Sequence, residues 1–296
     1  MLLIAGATGY IGGLLAERLA EQGRDVRCLA RDPEAAAGRL DERSEIVPGD
    51  VLDRATLDSA LTGVDTAYYL VHSMGRGGGS DFAERDRRGA RNFAAAAQTA
   101  GVERIIYLGG LGEPTSSHLR SRHETAAGLA STGIPLTYFR AAIVIGQGSE
   151  SLRTIAYLVR RLPAMVTPSW TSTRTQPIAA DDVVEYLAQA LDVPASEGRE
   201  IEIGGAEVTT YGGLLDLCAR AQGRRPRPRI GLPILSPRLS SYWIGLVTPV
   251  DAGVAMPLIE GLSTETVVED PSGMELFDVV PTPLDEAMRE AVANLV

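Results

Sequence analysis

Hydrophobic positions along the chain alternate between short unbroken apolar runs, which suit strands buried on two faces, and the three-to-four-residue spacing of amphipathic helices. Leu2-Leu-Ile-Ala5 is the first such run and predicts a strand. Gly6, Gly9 and Gly12 then stand three residues apart. An Ala/Leu-rich pattern follows and predicts a helix over 13–22, with Leu14, Leu15, Leu19 and Ala20 on its inner face and Gly23 closing it. Further strands are expected at 25–30, 45–47, 66–71, 104–108, 136–145 and, much later, 201–204. Helical spacing falls between them at 55–61, at 82–100 with Ala90, Phe93, Ala94 and Ala97 inward, and at 118–130, 151–162, 183–191 and 211–222. Asp181 is read as the cap of the helix that follows it.

Strands that alternate with helices in this way give an α/β fold, a Rossmann-type doubly wound parallel sheet, because parallel neighbours need long right-handed crossovers. Residues 1–150 read as a dinucleotide-binding core. Residues 151–296 read as a smaller, mostly helical lobe that returns one strand near 201–204 and supplies the substrate pocket. Within it, 224–229 is a basic, proline-rich connector, usually a solvated segment. The apolar stretch 233–262, with Tyr242, Trp243, Ile244 and Leu246, lines either the pocket or a subunit interface.

The glycine triplet gives this pattern a chemistry. A strand, a glycine turn and a helix in direct succession form an anion site: Gly6 lets the chain turn, Gly9 removes a Cβ where a pyrophosphate approaches, and Gly12 lets the helix lie close on the sheet. The ligand expected is a dinucleotide. Arg31 ends the second strand, where an acidic residue suits a ribose hydroxyl and a basic one a 2′-phosphate, so it favours NADP(H); the alternative is a surface arginine paired with Asp32. Asp50 follows the third strand, where an Asp is an ordinary turn former or cap. The segment His72 to Ser80, with four glycines, leaves the carboxyl end of a central strand and is expected to act as a lid.

Composition narrows the partners. The chain has 296 residues and a net charge of -10, which argues against nucleic acid, since phosphate backbones need a basic face. Two cysteines, Cys28 and Cys218, and three histidines, His72, His118 and His123, suggest neither a disulfide framework nor a metal site. No apolar run is long enough for a membrane span, and the apolar start lacks the basic region of a signal peptide, so the cytoplasm is the expected compartment. A monomer and a homodimer are both compatible with the sequence.

Gly6-Ala-Thr-Gly-Tyr-Ile-Gly12, Gly49-Asp-Val51 and Gly204-Gly-Ala-Glu-Val-Thr-Thr-Tyr211 resemble the extended and atypical short-chain dehydrogenase/reductase superfamily. Within it the chain looks most like the NmrA-like, NAD(P)H-binding branch, which holds reductase-like and regulator-like members. The resemblance implies a cofactor set of Gly6, Thr8, Gly9, Tyr10, Ile11, Gly12, Arg31, Asp50, Val51, Leu70 and Val71, with Asp50 and Val51 against the adenine. It also implies a tyrosine, a lysine four residues later and a serine after strand five, which together handle the substrate oxygen. Here His118 and Arg122 fall on the tyrosine and lysine positions, and Gly109 and Gly110 where the serine would be. His118 is then expected as a general acid near neutral pH or, alternatively, as a capping or surface residue. Arg122, which keeps its proton, is expected to hold an anionic partner. His72, Met74, Arg140 and Trp170 are the expected substrate contacts. Two functions remain: an NADP(H)-dependent reductase of a small, largely apolar carbonyl, enone or quinone-like substrate, which the glycine-rich segment and apolar lobe favour, and a non-catalytic NAD(P)H-binding regulator or assembly protein.

Overall fold

The computed structural model describes residues 1–72, 82–161, 165–167, 169–231 and 262–293. Its centre is a seven-stranded parallel sheet built from β1 (Leu2–Ala5), β2 (Val26–Ala30), β3 (Glu45–Pro48), β4 (Thr66–Tyr69), β5 (Arg104–Gly110), β6 (Leu136–Ala141) and β7 (Glu200–Ile203). The strands lie in the order β7-β6-β5-β4-β1-β2-β3. The order reverses beside β1, and in open sheets of this kind the crevice at the carboxyl ends of the strands flanking that reversal receives ligand. Nine helices are described: α1 (Tyr10–Glu21), α2 (Pro33–Ala37), α3 (Arg54–Ala60), α4 (Phe82–Ala100), α5 (Ser117–Ala130), α6 (Glu150–Arg161), α7 (Ala180–Gln189), α8 (Tyr211–Ala221) and α9 (Leu284–Ala293).

Because side chains alternate along a strand, the apolar runs fill two separate cores. Ile4, Cys28, Tyr68, Ile106 and Phe139 face Leu15 and Leu19 of α1 and Val183 and Leu187 of α7. Leu3, Leu29, Tyr69, Tyr107 and Tyr138 face Leu57 of α3, Phe93 and Ala97 of α4 and Leu129 of α5. A third core joins α6, α8 and α9 through Leu152, Val159, Leu214, Cys218 and Met288. Both cysteines are buried in different cores, and burial pushes each thiol up to about 11, which keeps it protonated.

Two expectations need correction. The apolar run 136–145 is not one strand: β6 stops at Ala141, because Gly110 and Ile203, the last residues of its two neighbours, both pair with Ala141 and no ladder partner lies beyond. Val144–Ile145 instead pairs with Ile178–Ala179 in a small sheet of its own. Asp181 does not cap α7 either, since the N-cap is Ala179 and no side-chain cap is made. Asp181 and Asp182 sit in the first turn, where negative charge suits the helix dipole. Asp182 accepts from the backbone N–H and hydroxyl of Thr282 at 2.9 and 2.8 Å, tying α7 to the segment before α9. Helix α1 begins at Tyr10, three residues earlier than expected, because Gly9 is its extended N-cap.

Candidate nucleotide and substrate site

The turn from β1 into α1 is held by close backbone contacts. Gly6 has φ of +97°, a conformation only glycine adopts readily, and a Cβ there would lie 2.7 Å from the Leu70 carbonyl carbon and oxygen. A Cβ on Gly12 would lie 2.2 Å from the Gly6 carbonyl oxygen. Gly9 is less crowded, with its nearest atom at 3.1 Å, and it is exposed beside exposed Thr8, whereas Gly12 is buried. Gly12 therefore serves packing, and Gly9 keeps the approach to the helix end open. The first bond of α1 runs from the Gly13 N–H to Gly9, so the amides of Tyr10, Ile11 and Gly12 have no intrahelical acceptor, and no acidic residue stands in that turn. These features fit an anionic diphosphate. Tyr10 packs against the loop at Gly146 and Gly148, where an added Cβ would lie 2.1 Å from its hydroxyl and 2.2 Å from its ring.

Leu70 donates to Ala5 at 2.8 Å, which sets Leu70 and Val71 beside the glycine turn. Arg31 is exposed at the end of β2. Asp32 is not its partner in any described contact; its carboxylate caps α2 by accepting from Ala35. Asp50 proves a turn former and not a cap. Its Oδ1 accepts the Leu52 N–H at 2.9 Å, while the cap of α3 is Asp53. Val51 is buried against α4, where Asn92 donates to its carbonyl at 3.0 Å. The segments that follow β1 to β4 at the carboxyl end of the sheet thus carry the residues of the expected cofactor set.

At the neighbouring end of β5 the structure gathers His118, Arg122 and His72. The cap of α5 is Ser116, whose hydroxyl accepts from Leu119 at 3.1 Å, so His118 is free of that duty. Desolvation, then the Arg122 guanidinium, then His72 hold the His118 imidazole down to about 3. At neutral pH the ring is then uncharged, so the general acid expected at His118 would have to act there as a neutral imidazole donor. The same shift makes a stability prediction. Between its ordinary value near 6.5 and about 3 the unfolded chain binds the proton and the folded chain does not, so stability falls as pH drops through that window. His118→Gln should flatten that acid-side loss of thermal midpoint while matching the parent at pH 8; parallel curves would show that His118 does not cause it.

Other expected substrate contacts are placed differently. Arg140, an expected substrate contact, is engaged with the sheet: its guanidinium donates to Glu200 at 2.8 Å, Glu202 at 3.3 Å and the Gly112 carbonyl at 2.8 Å. Trp170 packs edge-on to Tyr211, with ring centres 6.3 Å apart, against the third core. Met74, the glycine-rich segment 76–80 and most of the apolar stretch 233–262 lie outside the described residues. Sequence reasoning missed Asp86, a buried carboxylate on α4 that accepts from Ser121 at 3.1 Å, directly before Arg122. Nothing in its surroundings in the sequence distinguishes it from a surface charge on a helix.

Fold and glycine cradle together define a Rossmann-type dinucleotide-binding protein. Residues 6–132 match the family model described as NAD(P)H-binding. Over 238 residues, 76% of this chain and 74% of the relative, the chain is 31% identical to (4-alkanoyl-5-oxo-2,5-dihydrofuran-3-yl)methyl phosphate reductase of Streptomyces griseus. The fold is similar to that of Citrobacter sp. triphenylmethane reductase complexed with NADP(H), with a TM-score of 0.77 at 20% identity over 98% of this chain and 99% of that one. It is also similar to an NADPH-dependent quinone oxidoreductase of Escherichia coli, with a TM-score of 0.76 at 21% identity over 97% and 98%. The chain belongs to the NAD(P)H-binding, NmrA-like atypical branch of the short-chain dehydrogenase/reductases, an oxidoreductase family. Among the described residues no helix is long and apolar enough to cross a membrane.

Proposed function

We propose that this protein is an NADP(H)-dependent reductase of small, largely apolar, conjugated carbonyl compounds, enones or quinones. One observation carries the reading: a permanent cation, Arg122, stands beside a histidine that is neutral at physiological pH, in place of a proton-donating pair. Reduction of an isolated carbonyl leaves an alkoxide, which requires an acid at once. A conjugated acceptor instead spreads the incoming electron pair onto its oxygen as an enolate, and a fixed cation is enough to hold it. The amides of Tyr10, Ile11 and Gly12 would hold the diphosphate, Arg31 the 2′-phosphate, and Asp50 and Val51 the adenine. When bound, the reduced nicotinamide supplies a hydride. Arg122 would then hold the substrate oxygen, the neutral His118 can donate one hydrogen bond to it, and water supplies the proton, to the α-carbon of an enone or to the oxygen of a quinone. The Streptomyces griseus relative, whose name describes a reductase of an alkanoyl-bearing oxo-dihydrofuranyl methyl phosphate, is in keeping with a conjugated substrate, and its own substrate carries a phosphate as well.

The test is oxidation of NADPH and NADH with cyclic enones, quinones and simple aldehydes, for the parent and Arg31→Ala. Turnover is expected with conjugated acceptors and NADPH. The arginine variant should lose about tenfold of the preference for NADPH, the size of one charge-assisted phosphate contact. Absence of turnover with every acceptor sinks the reductase; equal use of NADH sinks the cofactor assignment.

A further inference from the structure

We propose that the hydroxyl of Tyr138 is a second donor to the substrate oxygen, opposite Arg122 across the bare backbone of Gly109 and Gly110. This inference rests on the reductase reading and assigns it a residue. Tyr138 lies on β6 directly beside Tyr107 of β5, and the two rings stack with centres 5.1 Å apart, while His123 meets the Tyr138 ring edge-on at 6.2 Å. These two neighbours hold the ring, and its hydroxyl lies towards the carboxyl end of the sheet, beside Gly109. There it reaches over Gly109: a Cβ on that residue would lie 2.9 Å from the hydroxyl and 2.7 Å from Cε2. A Cβ on Gly110 would meet Cδ2 of Leu119 first, at 2.8 Å, with Cγ of Arg122 at 3.9 Å. The phenol of Tyr138 and the stem of Arg122 thus both come near the bare backbone of Gly109 and Gly110. Both glycines are partly exposed, so a ligand atom can come down onto them.

The Tyr138 hydroxyl itself is buried, in a residue only 4% exposed, and among the described residues it has no hydrogen-bond partner. A buried hydroxyl without a partner is a cost to folding that a phenylalanine would avoid, which is unusual unless something else satisfies the group. Burial pushes the phenol well above its ordinary value, so at neutral pH it keeps its proton and can only enter the site as a donor or neutral acceptor. An oxygen that gains negative charge between Arg122 and Tyr138 would receive two donors that are fixed before reaction. A serine at position 109 and the tyrosine ring as placed exclude one another, since the serine Cβ would stand at 2.7 Å from the ring. The absence of the expected serine and the position of Tyr138 are then one feature.

The experiment compares the parent, Tyr138→Phe and Arg122→Ala by three readouts: thermal midpoint, NADPH oxidation with the conjugated acceptors, and binding of 4-nitrophenol in the presence of NADP+, whose absorbance reports its ionisation. The phenol stands in for an enolate oxygen. Expected for Tyr138→Phe are a thermal midpoint equal to or above that of the parent, kcat/KM lower by about tenfold or more, and phenolate binding weakened by a similar factor. Phenolate binding and turnover that depend on Arg122 and are unchanged in Tyr138→Phe would overturn this inference and leave the reductase standing. A lower midpoint with phenolate affinity intact would also overturn it, by showing a structural hydroxyl. A parent that neither ionises the phenol nor reduces any acceptor would overturn the reductase reading, and this inference with it.

Discussion

Gly12→Ala is expected to destabilise the protein by about 2 kcal/mol and to lower its affinity for NADPH at least about a hundredfold. The added methyl would stand 2.2 Å from the Gly6 oxygen, 2.8 Å from the Gly6 carbonyl carbon and 3.0 Å from the Ala7 Cα. All three are backbone atoms at the junction of β1 and α1, so no side chain can rotate aside. Alanine gains about 1 kcal/mol over glycine as a helix former, but a contact this short outweighs that gain. Either α1 lifts off the sheet or the turn opens, and both move the free amides of Tyr10 and Ile11. Gly9→Ala provides the contrast. Its Cβ meets only the Gly6 oxygen at 3.1 Å, and the residue is exposed, so its stability should change by less than about 1 kcal/mol while nucleotide affinity still falls. Urea unfolding and a fluorescence titration separate the two effects. Equal stability and equal affinity in Gly12→Ala would remove the glycine turn as the nucleotide cradle.

Arg122→Ala should lower kcat/KM with conjugated acceptors by about a hundredfold to a thousandfold, the usual cost of removing one preorganised donor from a developing oxyanion. The dissociation constant for NADPH should stay within about threefold, because the amides at the start of α1 and Arg31 carry the nucleotide phosphates. Arg122→Lys should recover part of the loss, since charge returns without the planar fork. If affinity for NADPH falls in step with turnover, Arg122 holds cofactor and not substrate. If neither changes, the cation by Gly110 has no part in the reaction.

The apolar runs and helical spacing were enough to place six of the seven sheet strands, the late one included, to within a few residues, because burial on two faces leaves a local record in the chain. The seventh, 136–145, came out too long, since periodicity reports that residues are buried and says nothing about whether a neighbour still offers hydrogen bonds beyond Ala141. The short helix Pro33–Ala37 and the last helix, Leu284–Ala293, went unpredicted. In the site, the glycine turn could be read from spacing. The protonation of His118, the engagement of Arg140 with Glu200 and Glu202, and the buried hydroxyl of Tyr138 could not, because each depends on residues distant in sequence that the fold brings alongside.

Local pattern therefore settled the architecture and the anion-binding turn, for which the needed atoms come from one strand, one loop and one helix in succession. Which histidine is desolvated and which arginine is engaged by carboxylates were decided only when β5, β6, β7 and α5 came together. Sterics within a turn act over a few bonds and are written into neighbouring residues, whereas desolvation and ion pairing act through space and belong to the folded chain alone.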